Sequence, residues 1–374
     1  MPTEVIQADR ADASQVASAA QKALRALKKG GLVGFATETV YGVAALATCD
    51  EALDRLRELK DRPSRPFSVH VGRVEDARRY VQKFSPDAEQ LIRRCWPGAV
   101  TLVVPAGESF ADARLRKREG LYERLCHEGM IGLRCPDEPV ARAMLSGTRL
   151  PVVAPSANLA GRPSPRSADE VLADLDGRID LLIDSGPTRY GKDSTIVRCD
   201  ESSTTVLRAG VYDKSSIRRL LTRTYLFVCT GNTCRSPMAA GLAKRFLADR
   251  LGCKVGELTR HGLKVLSAGA FAGEGFGATP AAVEAARELG ADISRHRSRI
   301  LTKELINEAD VIFCMTDSHV AQARDIAPDQ SRKIRRLDSR RNLPDPVGGD
   351  AEVYRESARR IQNALLDALG KEVK

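Results

Sequence analysis

The chain has 374 residues, of which 43% are hydrophobic, and carries a net charge of +10 from 59 Lys+Arg against 49 Asp+Glu. This length suggests two or more domains, the apolar content suffices for a core in each, and the positive balance favours acidic ligands. No run approaches the ~18 apolar residues of a membrane helix. Met1-Pro-Thr-Glu-Val lacks a signal-peptide pattern, and nine irregularly spaced cysteines argue against a disulfide framework. A reducing, cytoplasmic setting without membrane association is therefore expected.

In chain order, Ala13 to Lys29 reads as an amphipathic helix closed by Gly30-Gly31. Leu32-Val-Gly-Phe35 is an apolar strand running into Ala36-Thr-Glu-Thr-Val-Tyr-Gly42, where hydroxyls and a carboxylate at a strand end suit a ligand pocket. Leu59 to Val71 packs cations, including Lys60, Arg62 and Arg65, and hydrogen-bonding groups, among them His70, into a proline-stiffened loop. Such a cluster can neutralise a triphosphate. Trp96-Pro-Gly-Ala-Val turns sharply into a strand, and Ile131-Gly-Leu-Arg-Cys135 puts Arg134 at the end of another. Val152-Val-Ala-Pro-Ser-Ala-Asn158, Asp193-Ser-Thr-Ile-Val197 and Arg208 add further polar groups. Each segment alone is weak, but together they make apolar strands that repeatedly end in ligand-type residues.

This set resembles the YrdC-like family of threonylcarbamoyl-AMP synthases across about 5 to 215, with Thr-Glu-Thr-Val-Tyr-Gly, Lys-x-Arg-Pro, Trp-Pro-Gly, Ala-Pro-Ser-Ala-Asn and Ser-Thr-Ile in order. The resemblance implies a twisted mixed sheet around a large basic cleft. It also implies condensation of L-threonine, bicarbonate and ATP, with Mg2+, into threonylcarbamoyl-AMP for threonylcarbamoylation of adenosine in tRNA. Thr39, His70, Arg134, Ser156 and Ser194 fall on the threonine side, and Lys60, Arg62, Arg65, Asn158 and Arg208 on the ATP side. Ala36 and Ala99 replace prolines usual in the family. A non-catalytic RNA-binding module is the alternative, and tRNA or tRNA-modification proteins are expected partners.

Residues 213 to 223 form a short basic connector, with a helical pattern over Ser215 to Leu221. Thr224 to Val228 reads as a buried strand. It leads into Cys229-Thr-Gly-Asn-Thr-Cys-Arg-Ser236 and then a helical pattern from Met238. A strand, a Gly-containing turn and a helix N-terminus aim backbone N–H groups at one spot, where the helix dipole favours negative charge. A thiolate at Cys229 is a nucleophile, and Arg235 can hold two phosphoryl oxygens in a fork. Ser236 can donate to the thiolate and Asn232 can brace the loop. Asp345, between two prolines in Leu343-Pro-Asp-Pro-Val-Gly-Gly349, supplies a general acid. A Walker loop is excluded because no Gly-Lys-Ser/Thr follows, and Cys229 and Cys234 lack thioredoxin spacing. No Cys or His partners sit at metal-ligand spacing near this loop. The basic runs 114–118 and 332–336 read as solvated faces.

These residues resemble the low-molecular-weight protein tyrosine phosphatase family across about 224 to 374, together with Leu266-Ser-Ala-Gly269, Ala278-Thr-Pro280 and Ala309 to Thr316. The resemblance makes Cys229 the nucleophile, Arg235 the phosphate clamp and Asp345 the acid and base, with no cofactor and a phosphoprotein substrate. Thr233 and Asp-Pro-x-Gly-Gly resemble the protein arginine phosphatase branch, although Val347 departs from it, and a phosphotyrosine substrate is the alternative. Arsenate reductases share the loop but need paired resolving cysteines, which Cys253 and Cys314 do not provide. The expected whole is an α/β fusion: a YrdC-like twisted mixed sheet with a basic cleft, then a doubly wound parallel-sheet phosphatase domain.

Overall fold

The computed structural model describes residues 2–62 and 64–370 and divides into two compact units, Met1–Leu221 and Thr222–Lys374. The connector pattern resolves into the helix Lys214–Leu221, which lies within the first unit. Its Ile217 is buried in that unit's core, and the Leu220 carbonyl accepts from Gln90 Nε2 and Arg94 Nη1, both at 2.9 Å.

In the first unit the strands form one mixed sheet. Its spatial order is Glu4–Gln7, Leu181–Asp184, Val33–Phe35, Gly42–Leu46, Val152–Val153, Val69–His70, Met130–Arg134, Val100–Pro105, Thr195–Cys199 and Thr204–Arg208. The order follows burial. Val33–Phe35 and Gly42–Leu46 are buried along their whole length, as central strands covered on both faces must be, while Thr204–Arg208 at the edge is half-exposed. One core, around Leu56, Leu91, Leu102 and Leu133, packs one side of the sheet. A second, around Leu27, Phe35, Met144 and Ile183, packs the helices Ala13–Lys28 and Pro139–Ser146. The helix Ala13–Lys28 starts where Asp12 accepts hydrogen bonds from the Ser14 and Gln15 amides. Ser156 of the Pro-Ser-Ala-Asn segment and Ser194 of the Ser-Thr-Ile segment line one cavity.

In the second unit four parallel strands run in the order Leu263–Gly269, Arg223–Cys229, Val311–Cys314, Ile334–Arg336. Side chains of Arg223–Cys229 alternate between two cores. Tyr225, Phe227 and Cys229 join helices Arg235–Leu251, Pro280–Glu288 and Ala351–Leu369, whereas Leu226 and Val228 join Lys303–Glu308 and Asp317–Ile326. Burial on both faces explains why this stretch reads as a continuous apolar run. The strand begins at Arg223, one residue earlier than the sequence pattern suggests, and the helix begins at Arg235, three residues earlier. No helix among the described residues is long and apolar enough to cross a membrane.

Candidate functional site

Two separate constellations carry chemistry, one in each unit. In the second, the loop after Arg223–Cys229 leaves the sheet at the C-terminal ends of its strands, where parallel sheets open a crevice. Its turn depends on Asn232, which sits at φ 54°, a left-handed conformation that Asn tolerates. The Asn232 side chain fixes that turn: Oδ1 accepts from the Arg299 amide at 3.0 Å and Nδ2 donates to Ser236 Oγ at 2.8 Å. Cys229 Sγ then receives the Asn232 amide at 3.3 Å and lies 2.9 Å from Ser236 Oγ. Gly269, register partner of Cys229, is obligatory here, because a Cβ would lie 2.4 Å from the Thr230 carbonyl oxygen and 2.8 Å from the Asn232 amide.

Arg235 opens the helix and is buried. Nη1 donates to the Leu343 carbonyl at 3.1 Å, while Nη2 contacts the Asp345 carboxylate and reaches Thr230 Oγ1 at 3.4 Å. The segment carrying Asp345 is thereby latched to Arg235. Cys229, Arg235 and Asp345 form one site, as do Asn232 and Ser236 beside the sulfur. Thr233 is half-buried, with its carbonyl accepting from the Thr279 amide at 3.0 Å.

Two histidines had no sequence argument. His319 is buried, and its ring nitrogens meet Thr230 Oγ1 at 2.9 Å and Thr316 Oγ1 at 2.7 Å. Burial, aided by the Arg235 charge, lowers its pKa to about 4, so the ring is neutral at pH 7. His296 Nε2 lies 2.7 Å from the Asn232 carbonyl, and burial lowers its pKa as well. The one available signal was His319 lying in the first turn of the helix that Thr316 caps.

In the first unit a cavity of about 710 Å3 is lined by His70, Arg134, Ser156 and Ser194, and by Lys60, Arg62, Arg65 and Arg208. Thr39 and Asn158 stand behind this wall. Thr39 Oγ1 accepts from Arg134 Nη2 at 2.6 Å, and Asn158 Oδ1 and its carbonyl accept from Lys60 Nζ at 2.9 and 2.8 Å. Lys60 follows the helix Asp50–Leu59, whose Ala52, Leu53, Leu56 and Leu59 are buried, so the lysine emerges toward the cavity. Desolvation pulls its pKa down to about 8 against the opposing charges of Asp193 and Asp174. Arg134 is held by Glu38 Oε1 at 2.8 Å, a buried ion pair that uses the carboxylate of the Thr-Glu-Thr segment. Its Nε is buried and has no partner, an unusual donor on a cavity wall. His70 Nδ1 lies 3.2 Å from the Ser68 carbonyl, and burial, then the Arg134 charge, lowers its pKa to about 3. Arg208 reaches the Ser194 carbonyl at 3.0 Å and Asp193 at 3.5 Å. Among the described residues, no group of three or more His, Cys, Asp or Glu could hold a metal ion.

A cation-lined cleft on a mixed sheet and a cysteine–arginine phosphate loop on a doubly wound sheet define two classes of protein within one chain. The first matches the family model described as Telomere recombination (Sua5/YciO/YrdC) over residues 25–210. The second matches that of low molecular weight phosphotyrosine protein phosphatase over residues 224–374. The chain belongs to the first of these families, and its second unit carries a domain matching the second. It is 37% identical over 196 residues to the threonylcarbamoyl-AMP synthase of Bacillus subtilis, covering 52% of this chain and 54% of that one. To the putative threonylcarbamoyl-AMP synthase of Mycobacterium tuberculosis it is 32% identical over 214 residues, covering 57% and 94%. The chain thus spans about half the length of several curated relatives it matches. Similar solved structures include a low-molecular-weight protein tyrosine phosphatase from T. tengcongensis (35% identity, 40% and 99% coverage, TM-score 0.36). An arginine phosphatase from Geobacillus stearothermophilus is also similar (34%, 40% and 92%, TM-score 0.35).

Proposed function

We propose that the chain is a bifunctional cytoplasmic enzyme, with residues 5–215 forming threonylcarbamoyl-AMP and residues 224–374 removing phosphate from protein phosphoarginine. The first activity rests on one observation above all. The wall of the cavity carries a buried arginine, Arg134, whose Nε has no protein partner, beside Lys60, Arg62, Arg65 and Arg208. Such a donor suits the carboxylate of L-threonine. The threonine amine and bicarbonate would condense to a carbamate with loss of water. A carbamate oxygen would then attack the α-phosphorus of ATP in line, and the bond to pyrophosphate would break. Positioning and charge neutralisation carry such a reaction. Mg2+ would enter on the phosphates of ATP, neutralising charge there; the carboxylates within reach of the cavity are Asp193 and Glu128. The product would serve tRNA modification, with tRNA or tRNA-modification proteins as partners.

Pyrophosphate release from ATP that requires both threonine and bicarbonate, and falls in Arg134→Ala, is the test. Release independent of threonine would sink the synthase reading and favour the RNA-binding module.

In the second unit, Cys229 Sγ would attack phosphorus while Asp345 protonates the departing nitrogen, breaking the P–N bond and leaving a cysteinyl phosphate. Asp345, now a base, would take a proton from the water that releases phosphate. The Ser236 hydroxyl and Asn232 amide around the sulfur support this reading. Thr233 and the Asp345-Pro-Val-Gly-Gly349 segment favour phosphoarginine. Phosphotyrosine is the second reading, favoured by the description of the matching family; Val347 stands where both branches usually carry an aromatic and favours neither. Parallel assays on phosphoarginine and phosphotyrosine peptides, with Cys229→Ser as blank, decide between them. Thr233→Ile should move the preference toward phosphotyrosine, and an unmoved ratio removes Thr233 as the discriminator.

A further inference from the structure

The basic run 332–336 keeps Arg332 and Arg335 exposed, and its Arg335 and Arg336 also line a second cavity in the phosphatase unit. This cavity measures about 410 Å3 and is lined by Arg335, Arg336, Arg340, Arg341 and Arg360 against two acidic residues, Asp338 and Asp367. None of these belongs to the Cys229 site. One wall is apolar: Phe313, Leu337, Ala364 and Ala368 line it, and the Arg335 guanidinium lies 5.1 Å from the centre of the Phe313 ring. Several forked cations beside an apolar wall suit a small anion with more than one phosphate, which would compete with Asp338 and Glu356 for Arg341 and Arg360, and the volume is that of a small-molecule pocket rather than a macromolecular groove.

The cavity is joined to the chemistry by covalent and hydrogen-bonded links. Arg336 donates to the Ser339 carbonyl at 2.7 Å and to Asp317 at 3.0 Å, shaping the turn that presents Arg340 and Arg341. The Asp317 amide donates to Asn342 Oδ1 at 2.9 Å. Next along the chain, the Leu343 amide donates to the Met315 carbonyl at 2.9 Å and the Leu343 carbonyl accepts from Arg235 at 3.1 Å. Asp345 follows two residues later. A ligand that draws Arg340 and Arg341 inward therefore pulls on the segment that carries the acid.

We propose that this cavity is a second anion site, distinct from the phosphate loop, that binds a small diphosphate-bearing molecule and acts on phosphatase turnover through the segment 337–345. Hydrogen exchange on the full chain, at constant ionic strength, separates this site from the others. Pyrophosphate or ADP should slow exchange in 334–343 and 360–368, and the double variant Arg340→Glu/Arg360→Glu should lose that protection while 60–70 and 229–236 respond as before. Equal effects of the two probes identify the diphosphate as the recognised group, and a stronger effect of ADP adds stacking on the apolar wall. No slowing in 334–343 with either probe, the same slowing with sulfate, or protection retained in the double variant would overturn the site. Binding should also change kcat on p-nitrophenyl phosphate by about fivefold, a common size for coupling between sites. Arg340→Gln, a milder change, should abolish that response while keeping basal turnover. Binding without a kcat response overturns the coupling. The kinetic arm rests on the phosphatase reading and the exchange arm does not, so the two failures are distinguishable.

Discussion

The guanidinium of Arg235 and the carboxylate of Asp345 are in direct contact, one buried and the other 44% exposed. The proposed clamp for the phosphoryl group and the proposed acid for the leaving group are thus partners of each other. On the proposed roles, a phosphoryl group entering the loop would compete with Asp345 for Arg235, setting binding against proton transfer.

Asp345→Asn tests this opposition. Removing the carboxylate charge frees Arg235, so vanadate or phosphate should bind more tightly, while kcat should fall by about 10²–10⁴, the range for a lost general acid. Inhibition constants and turnover, measured on one preparation, should move in opposite senses. Weaker anion binding in the variant would refute the competition.

Gly269→Ala should disable the phosphatase without touching the active-site side chains. Its Cβ would press on Thr230 and Asn232, displacing the Asn232 amide that donates to the sulfur. We expect phosphatase kcat/KM to drop at least about tenfold, a modest figure for lost preorganised donors, with threonine-dependent pyrophosphate release unchanged. Parallel loss of both activities would contradict the independence of the two units' cores.

Lys60 should give the proposed synthase an alkaline limit. With a pKa near 8 it is charged below that pH and neutral above it, so kcat/KM for ATP should decline as pH rises through about 8. In Lys60→Arg the charge persists, and the decline should vanish even where the absolute rate is lower. A pH profile identical to that of the unsubstituted protein would assign the limit to another group.

His70 and His319 make stability depend on acid. Both have folded pKa values below the ordinary histidine value of 6.5, near 3 and 4. The unfolded chain therefore binds more protons below pH 6.5, and stability falls as pH drops from there toward each folded value. Denaturant midpoints followed from pH 7 to pH 4 should decline for both units. His70→Gln should flatten the slope for the first unit and His319→Gln that for the second, and unchanged slopes would count against these two rings as the source.

Much of the site was legible in the order of residues. Cys229, Arg235 and Ser236 are close in the chain, and the loop that joins a strand to a helix brings them together by local geometry alone, as Asn232 at φ 54° illustrates. The apolar run before Cys229 likewise announced a strand covered on both faces. The strand-end motifs of the first half each mark a corner of one cavity, although sequence could not tell Thr39 and Asn158, which stand behind its wall, from Arg134 and Lys60, which line it. That distinction depends on which side of a short strand faces inward, and register across the sheet sets it.

Sequence by itself determined the two families and the order of the units, and it grouped Cys229, Asn232, Arg235 and Ser236 because they lie within a few residues of one another. Only the tertiary structure decided what depends on distant segments meeting. His319 braces Thr230 across 89 positions, Glu38 holds Arg134 across 96, and Asp345 rests on Arg235 across 110. Solvent exclusion, which lowers the pKa values of Lys60, His70 and His319, likewise arises only when those segments pack.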